Sequence, residues 1–321
     1  MIYKNSISIF LGIITVVLLG SKIISIRNKK ITFDRLEKIY PNNNLIQQKL
    51  NLYQNSLPIY YTPVKKQRIC LLISGFRDIP YMWNNFTKYL RQDNIDFIIP
   101  RINGFGRTYF QQNIEWKDWI ISVMETMSIL QDMYYEIDII GFSTGCNIAV
   151  YISQFDWKCN IRNIILTSPN FSVHSKEQIY KTILNIPIIS DLIIYLYPVT
   201  QKPIKRRRKY AGNLIDKSYR NNLYESSFPT YSVKELWKLQ NVLPNKIKAN
   251  NIILIKPNND QVVGDYSKQQ NIIETIYNKN INVINIPPNE DDDKIKIGHD
   301  IFNISEDVTF YTYNQLINYI K

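Results

Sequence analysis

Short apolar runs alternate along this chain with longer stretches in which apolar residues recur every three or four positions. RICLLIS (68–74) predicts a strand buried on both faces, and YMWNNFTKYLRQ (81–92) behind it has helical spacing. The same reading gives a strand in IDFIIP (95–100), a long amphipathic helix in EWKDWIISVMETMSILQDMYY (115–135) and a strand in EIDIIGF (136–142). A helix in TGCNIAVYISQF (144–155) and a strand in IRNIILTSP (161–169) follow. The alternation resumes with a strand in NNIILIK (250–256), a helix over 261–278, a strand in INVINIP (281–287) and a closing helix, EDVTFYTYNQLINYIK. Strands separated by helices of ten or more residues predict a mostly parallel sheet covered on both faces. An edge strand is expected in LPIYYTPVKK (57–66).

Two regions depart from this rhythm. Residues 171–228 hold IYKTILNIPIISDLIIYLYPV, which reads as one or two apolar helices broken at Pro187, then the basic QKPIKRRRKY and a polar stretch. They predict a cap inserted into a sheet core formed by 66–170 and 229–321. Ahead of the core, 31–65 form a polar stalk and edge segment. Asn5 to Ser21 carry no charge and are rich in Ile, Leu and Val, so 1–30 predict an N-terminal membrane helix. LLGSK is a poor cleavage site, which favours an uncleaved anchor; cleavage near residue 21 would instead make the protein secreted or luminal. Lys22, Arg27, Lys29 and Lys30 follow the segment and only Lys4 precedes it, so the body is expected on the cytoplasmic side.

With 39 Lys and Arg against 27 Asp and Glu, the net charge of +12 favours anionic partners, the membrane surface among them. Lys205, Arg206, Arg207, Arg208 and Lys209 concentrate that charge. No nucleic-acid-binding motif accompanies it, so nucleic acid is not an expected partner. Cys70, Cys146 and Cys159 are odd in number and lack metal-ligand spacing, which reads as buried free thiols. With two histidines in the chain, a histidine-rich metal site is not expected, and no cofactor is implied.

The chemistry centres on GFSTG (141–145), set between a predicted strand and a predicted helix. In so tight a turn the residues two before and two after Ser143 crowd each other, so both must be glycine or nearly so. Ser143 is thereby lifted off the sheet, and the Thr144 amide opens the helix as an oxyanion donor. Gly75, Gly104, Gly106, Gly141, Gly145, Gly264 and Gly298 all fall at the ends of predicted strands or in the loops that continue from them, at the edge where parallel sheets bind ligands. His299, in KIGHDIF, reaches that edge and can serve as base to Ser143. His174 opens the cap without a carboxylate or glycine context and reads as a surface residue. Asp260, just past NNIILIK, can orient the base, with Asp265 in reserve. The turn after CLLIS offers a second oxyanion donor, the Phe76 amide.

On these residues the chain resembles the α/β-hydrolase superfamily, and within it the monoacylglycerol lipase and small carboxylesterase (serine-aminopeptidase-like) branch. LLISGF, PRINGFG, GFSTG, NNDQVV and GHD carry the resemblance, which covers about 66–321. It implies the α/β-hydrolase fold, Ser143 as nucleophile with Asp260 and His299, and an oxyanion hole of the Phe76 and Thr144 amides. Ser74 and Phe105 stand where the family often has histidines, and PPNEDDDKIKI lengthens the loop before His299. The expected activity is hydrolysis of a carboxylic ester, lipid-like in view of the apolar cap, the basic run and the anchor. A non-catalytic membrane-tethered binding protein of the same fold, and an acyltransferase using the same serine, are the alternatives.

Overall fold

The computed structural model describes residues 57–63, 67–105, 114–172, 178–196, 199–201, 227–258, 260, 262–263, 265–278, 280–286, 299–303 and 305–321. The anchor (1–30), His174, the basic run at 205–209 and the acidic loop before His299 lie outside them. No helix among the described residues is long and apolar enough to cross a membrane.

Seven strands form one sheet: β1 (Ile59–Tyr61), β2 (Arg68–Ile73), β3 (Phe97–Ile99), β4 (Glu136–Phe142), β5 (Asn160–Thr167), β8 (Asn251–Pro257) and β9 (Asn282–Ile286). Their order is β1-β3-β2-β4-β5-β8-β9, with β1 antiparallel to β3 at one edge and every other pair parallel. Two further strands, β6 (Val199–Gln201) and β7 (Ser227–Pro229), form a separate antiparallel pair.

Side chains in a strand alternate between faces, and both faces here are apolar, as a covered parallel sheet requires. Ile69, Leu71 and Ile73 of β2 pack on α2 (Trp116–Leu130) and α3 (Thr144–Ile152), whereas Cys70 and Leu72 face the opposite core with α1 (Asn84–Gln92) and α8 (Glu306–Ile320). A capping box between Glu115 and Asp118 starts α2, and the Ser305 hydroxyl accepts from the Val308 amide to start α8. At the end of the sheet far from the glycine-rich turns, Asp138 is fully buried inside β4. Arg162 donates to it from Nε and Nη2 at 3.0 and 2.9 Å, and Asn163 Nδ2 at 2.7 Å. Arg162 and Asn163 also donate to the Tyr319 carbonyl, tying the last turn of α8 to the sheet.

The segment after β5 carries α4 (Gln178–Leu184) and α5 (Pro187–Leu196), which meet at a 102° bend just where Pro187 breaks the apolar pattern. Ile179, Tyr180, Ile189, Leu192, Tyr195 and Leu196 are exposed on these two helices, and Ile186 in the turn between them. The chain then enters α6 (Thr230–Asn241), β8 and α7 (Tyr266–Tyr277). The helix predicted from residue 261 thus starts at Tyr266, with Asp265 as its N-cap.

Candidate active site

Ser143 sits between β4 and α3 with φ 52° and ψ −117°, a conformation that costs a non-glycine residue about 1–3 kcal/mol. Its amide donates to the Thr167 carbonyl of β5 at 2.9 Å, and its carbonyl accepts from Cys146. The two glycines make this turn possible. A Cβ on Gly141 would lie 2.8 Å from the Gly145 and Cys146 backbone, and one on Gly145 would lie 2.2 Å from the Ile73 carbonyl oxygen. Thr144 is the first residue of α3, so its amide is among the donors a helix leaves without an internal acceptor.

The turn after β2 runs Gly75-Phe76-Arg77, closed by the Asp78 amide donating to the Gly75 carbonyl at 3.1 Å, with Arg77 at φ 67°. The Phe76 ring meets Phe105 and Trp119 edge-on at 5.9 and 5.7 Å, which fixes the turn against the loop after β3. Phe105 is therefore a buried packing residue. Ser74 is buried too and accepts from Trp83 Nε1 at 3.1 Å.

The structure brings Asp260 and His299 together, with His299 Nδ1 2.7 Å from Asp260 Oδ2. The other carboxylate oxygen accepts from the Val262 and Val263 amides at 2.8 and 3.3 Å, and Tyr266 donates to Oδ2 at 3.0 Å. Burial pushes this carboxyl up, but the His299 charge and hydrogen bond, the Val262 amide and the Tyr266 hydroxyl together outweigh burial and hold it below the usual aspartate range. Asp265 is committed elsewhere: it is the N-cap of α7 and accepts from the Ser267 amide at 2.9 Å. The His299 ring packs on Phe142, the residue before Ser143, with centroids 4.9 Å apart, so the imidazole and Ser143 share one edge of the sheet.

Several contributors have no signal in the sequence. The Ser168 hydroxyl, at the end of β5, donates to the His299 carbonyl at 2.9 Å. Asp300 accepts from both the Phe302 amide and Asn303 Nδ2, and Asn303 donates on to the Met82 carbonyl, which pins the histidine loop to the turn before α1. Burial raises the Asp300 carboxyl to about 6, against the lowering pull of Asn303, His299 and the Phe302 amide. All three cysteines are buried and unpaired, and among the described residues no cluster of His, Cys, Asp and Glu could hold a metal ion.

No protein-family model matches the sequence, and no curated protein matches it. Solved structures do. A metagenome-derived lipolytic enzyme is similar with a TM-score of 0.64 at 13% identity, over 84% of this chain and 98% of its own. A soluble variant of the monoglyceride lipase of Saccharomyces cerevisiae, in complex with a substrate analogue, is similar with a TM-score of 0.56 at 14% identity, over 83% and 91%. An esterase from Exiguobacterium antarcticum is similar with a TM-score of 0.53 at 13% identity, over 84% and 98%. The chain has the α/β-hydrolase fold. At such identities the likeness extends to the fold alone, and activity has to be argued from the site.

Proposed function

We propose that this protein is a serine hydrolase of carboxylic esters, with Ser143 as nucleophile, His299 as general base and Asp260 as its partner. The observation that carries the reading is the 2.7 Å Asp260–His299 pair on the edge where Ser143 holds a left-handed backbone. In the first step Ser143 Oγ bonds to the ester carbonyl carbon while its proton passes to His299 Nε2. The oxyanion is held by the Phe76 and Thr144 amides. Collapse expels the alcohol, which takes the proton from His299. Water then repeats the sequence, activated by the same nitrogen, and releases the acid. Because only the neutral imidazole can accept a proton, protonating it blocks the first step.

The substrate class proposed is a lipid-like ester, of the monoacylglycerol or long-chain carboxylester kind. The exposed apolar residues of α4, α5 and the turn between them support it as part of a cap over the site, since seven large side chains along this one hairpin are more than scattered surface apolarity. Residues 1–30 are proposed as a single-pass anchor that holds the body at the cytoplasmic membrane face, with Lys205 to Lys209 meeting anionic headgroups. The testing experiment is labelling with a fluorophosphonate probe, comparing wild type with Ser143→Ala and His299→Ala. Labelling lost in both variants is the expected result; a folded wild type that does not label overturns the assignment. Product analysis with an added alcohol then separates hydrolysis from acyl transfer.

A further inference from the structure

The Asp260–His299 pair is enclosed by two side chains that the proposed chemistry does not use, and both reach it from separate elements. Tyr266, the first residue of α7, donates to Asp260 Oδ2, the same oxygen that faces His299 Nδ1. The remaining oxygen is filled by the Val262 and Val263 amides, so four donors surround a carboxylate whose side chain is wholly buried. Ser168, at the end of β5, anchors the histidine from the other direction by donating to the His299 carbonyl. Its hydroxyl also lies beside the Tyr266 hydroxyl. Imidazole, carboxylate and phenol thus form one hydrogen-bonded chain, and the serine hydroxyl beside the phenol holds the main chain of the same histidine.

We propose that Tyr266 and Ser168 are positioning residues that fix the acid and the base relative to the nucleophile strand and weaken the pull of Asp260 on the imidazole proton. This rests on the hydrolase reading of the same site. Ser168 occupies a left-handed backbone conformation (φ 49°) that favours glycine, yet keeps a side chain, and that side chain is buried and bonded to His299. Its amide is tied to the Ile255 carbonyl of β8, and the preceding Thr167 carbonyl accepts from Ser143. One short stretch at the end of β5 thus sets the height of nucleophile and base together.

Tyr266 acts through charge. A phenol that shares Oδ2 with the imidazole takes part of the carboxylate's acceptor strength, so the imidazolium is stabilised less and the free base persists to lower pH. Burial and the Asp260 charge keep the phenol protonated, so it remains a donor across the working pH range. The other ionisable groups around the circuit are Lys256, whose Nζ lies 5.7 Å above the Tyr266 ring, the buried Cys146 thiol near Tyr266, and Asp300 next to His299, whose carboxylate is engaged by Asn303 and the Phe302 amide.

The test uses Tyr266→Phe and Ser168→Ala in the full chain, with two readouts. The first is the pH profile of fluorophosphonate labelling. The second needs no activity: the chain has only two histidines, so the ring C–H resonances can be followed by NMR and assigned with His174→Gln. Tyr266→Phe is expected to move both the ascending limb and the ring titration to higher pH by about half a unit to one unit, with a loss of up to about tenfold at low pH that fades at high pH. Ser168→Ala is expected to slow labelling at every pH. A Tyr266→Phe protein whose ring titration matches wild type overturns the proposal, whatever its labelling. A wild type that never labels, but whose ring titration still shifts in Tyr266→Phe, sinks the hydrolase assignment and leaves the coupling intact.

Discussion

A single methyl group on Gly145 tests the site at its tightest point. The added Cβ would stand 2.2 Å from the Ile73 carbonyl oxygen, 2.8 Å from the Ser74 carbonyl oxygen and 2.9 Å from the Ile73 carbonyl carbon. Comfortable carbon contacts start near 3.5 Å, so the start of α3 must retreat from β2 by about 1 Å. Both sides are backbone of buried elements, and no side chain can swing aside. Overpacking of this kind costs about 3 kcal/mol or more. For a domain of this size that is a fall of roughly 6–12 °C in the thermal midpoint. The same displacement carries Ser143 and the Thr144 amide away from the base, and a misplacement of about 1 Å costs on the order of a hundredfold in rate. Gly145→Ala is therefore expected to lose both stability and labelling rate, with Gly141→Ala, whose closest approaches are 2.8 Å, less affected. Ser143→Ala, melting near wild type, is the control for folding. A Gly145→Ala protein that melts within about 2 °C of wild type and labels at the wild-type rate would refute the packing of α3 on β2.

Three further outcomes follow from the same geometry. Arg162→Met strands the buried Asp138 carboxylate and should cost about 3–5 kcal/mol in a denaturant titration, more at pH 8 than at pH 5, because burial already raises that carboxyl and losing the guanidinium raises it further; an equal loss at both pH values would count against a stranded charge. Asp300, raised by burial to about 6 when folded against about 3.9 unfolded, adds stability that is full below pH 4 and is lost as pH rises towards and through 6. Thermal melts of wild type should show that decline and Asp300→Asn should not; parallel pH dependences would rule it out. On the proposed cap reading, Leu192→Asp with Leu196→Asp should lower turnover of a long-chain ester relative to a short-chain one by about tenfold or more, while probe labelling reports an intact serine. An unchanged chain-length preference would remove these helices from the substrate contact.

How much of this was legible in the sequence differs from element to element. The central strands were plain because parallel strands buried on two faces leave unbroken apolar runs, and the turn around Ser143 was plain because steric crowding admits glycine alone at 141 and 145. Helix α6 had no counterpart among the predicted elements, since its inward face mixes Trp237 and Leu239 with the buried Thr230, Glu235 and Gln240. Asp138 hid inside an ordinary strand pattern because its partner, Arg162, lies on the neighbouring strand. Asp260 stood ahead of Asp265 by its place just past a strand, and the structure explains the choice physically, since Asp265 is spent as a helix cap. Tyr266 and Ser168 left no trace at all: Ser168 meets a residue 131 positions away, and no local spacing records such a contact.

The strand order holds one more consequence. Strands β5 and β8 are hydrogen-bonded neighbours with a continuous register from Asn163↔Asn251 to Thr167↔Ile255, although α4, α5, β6, β7 and α6 all lie between them in sequence. The entropy of closing such a connection grows only with the logarithm of its length. Lengthening, shortening or replacing the piece ahead of α6 therefore leaves the pairing that carries Ser168 and the Asp260 turn almost untouched. Selection, or a protein engineer, can exchange that piece as a cassette without rebuilding the sheet edge beside it.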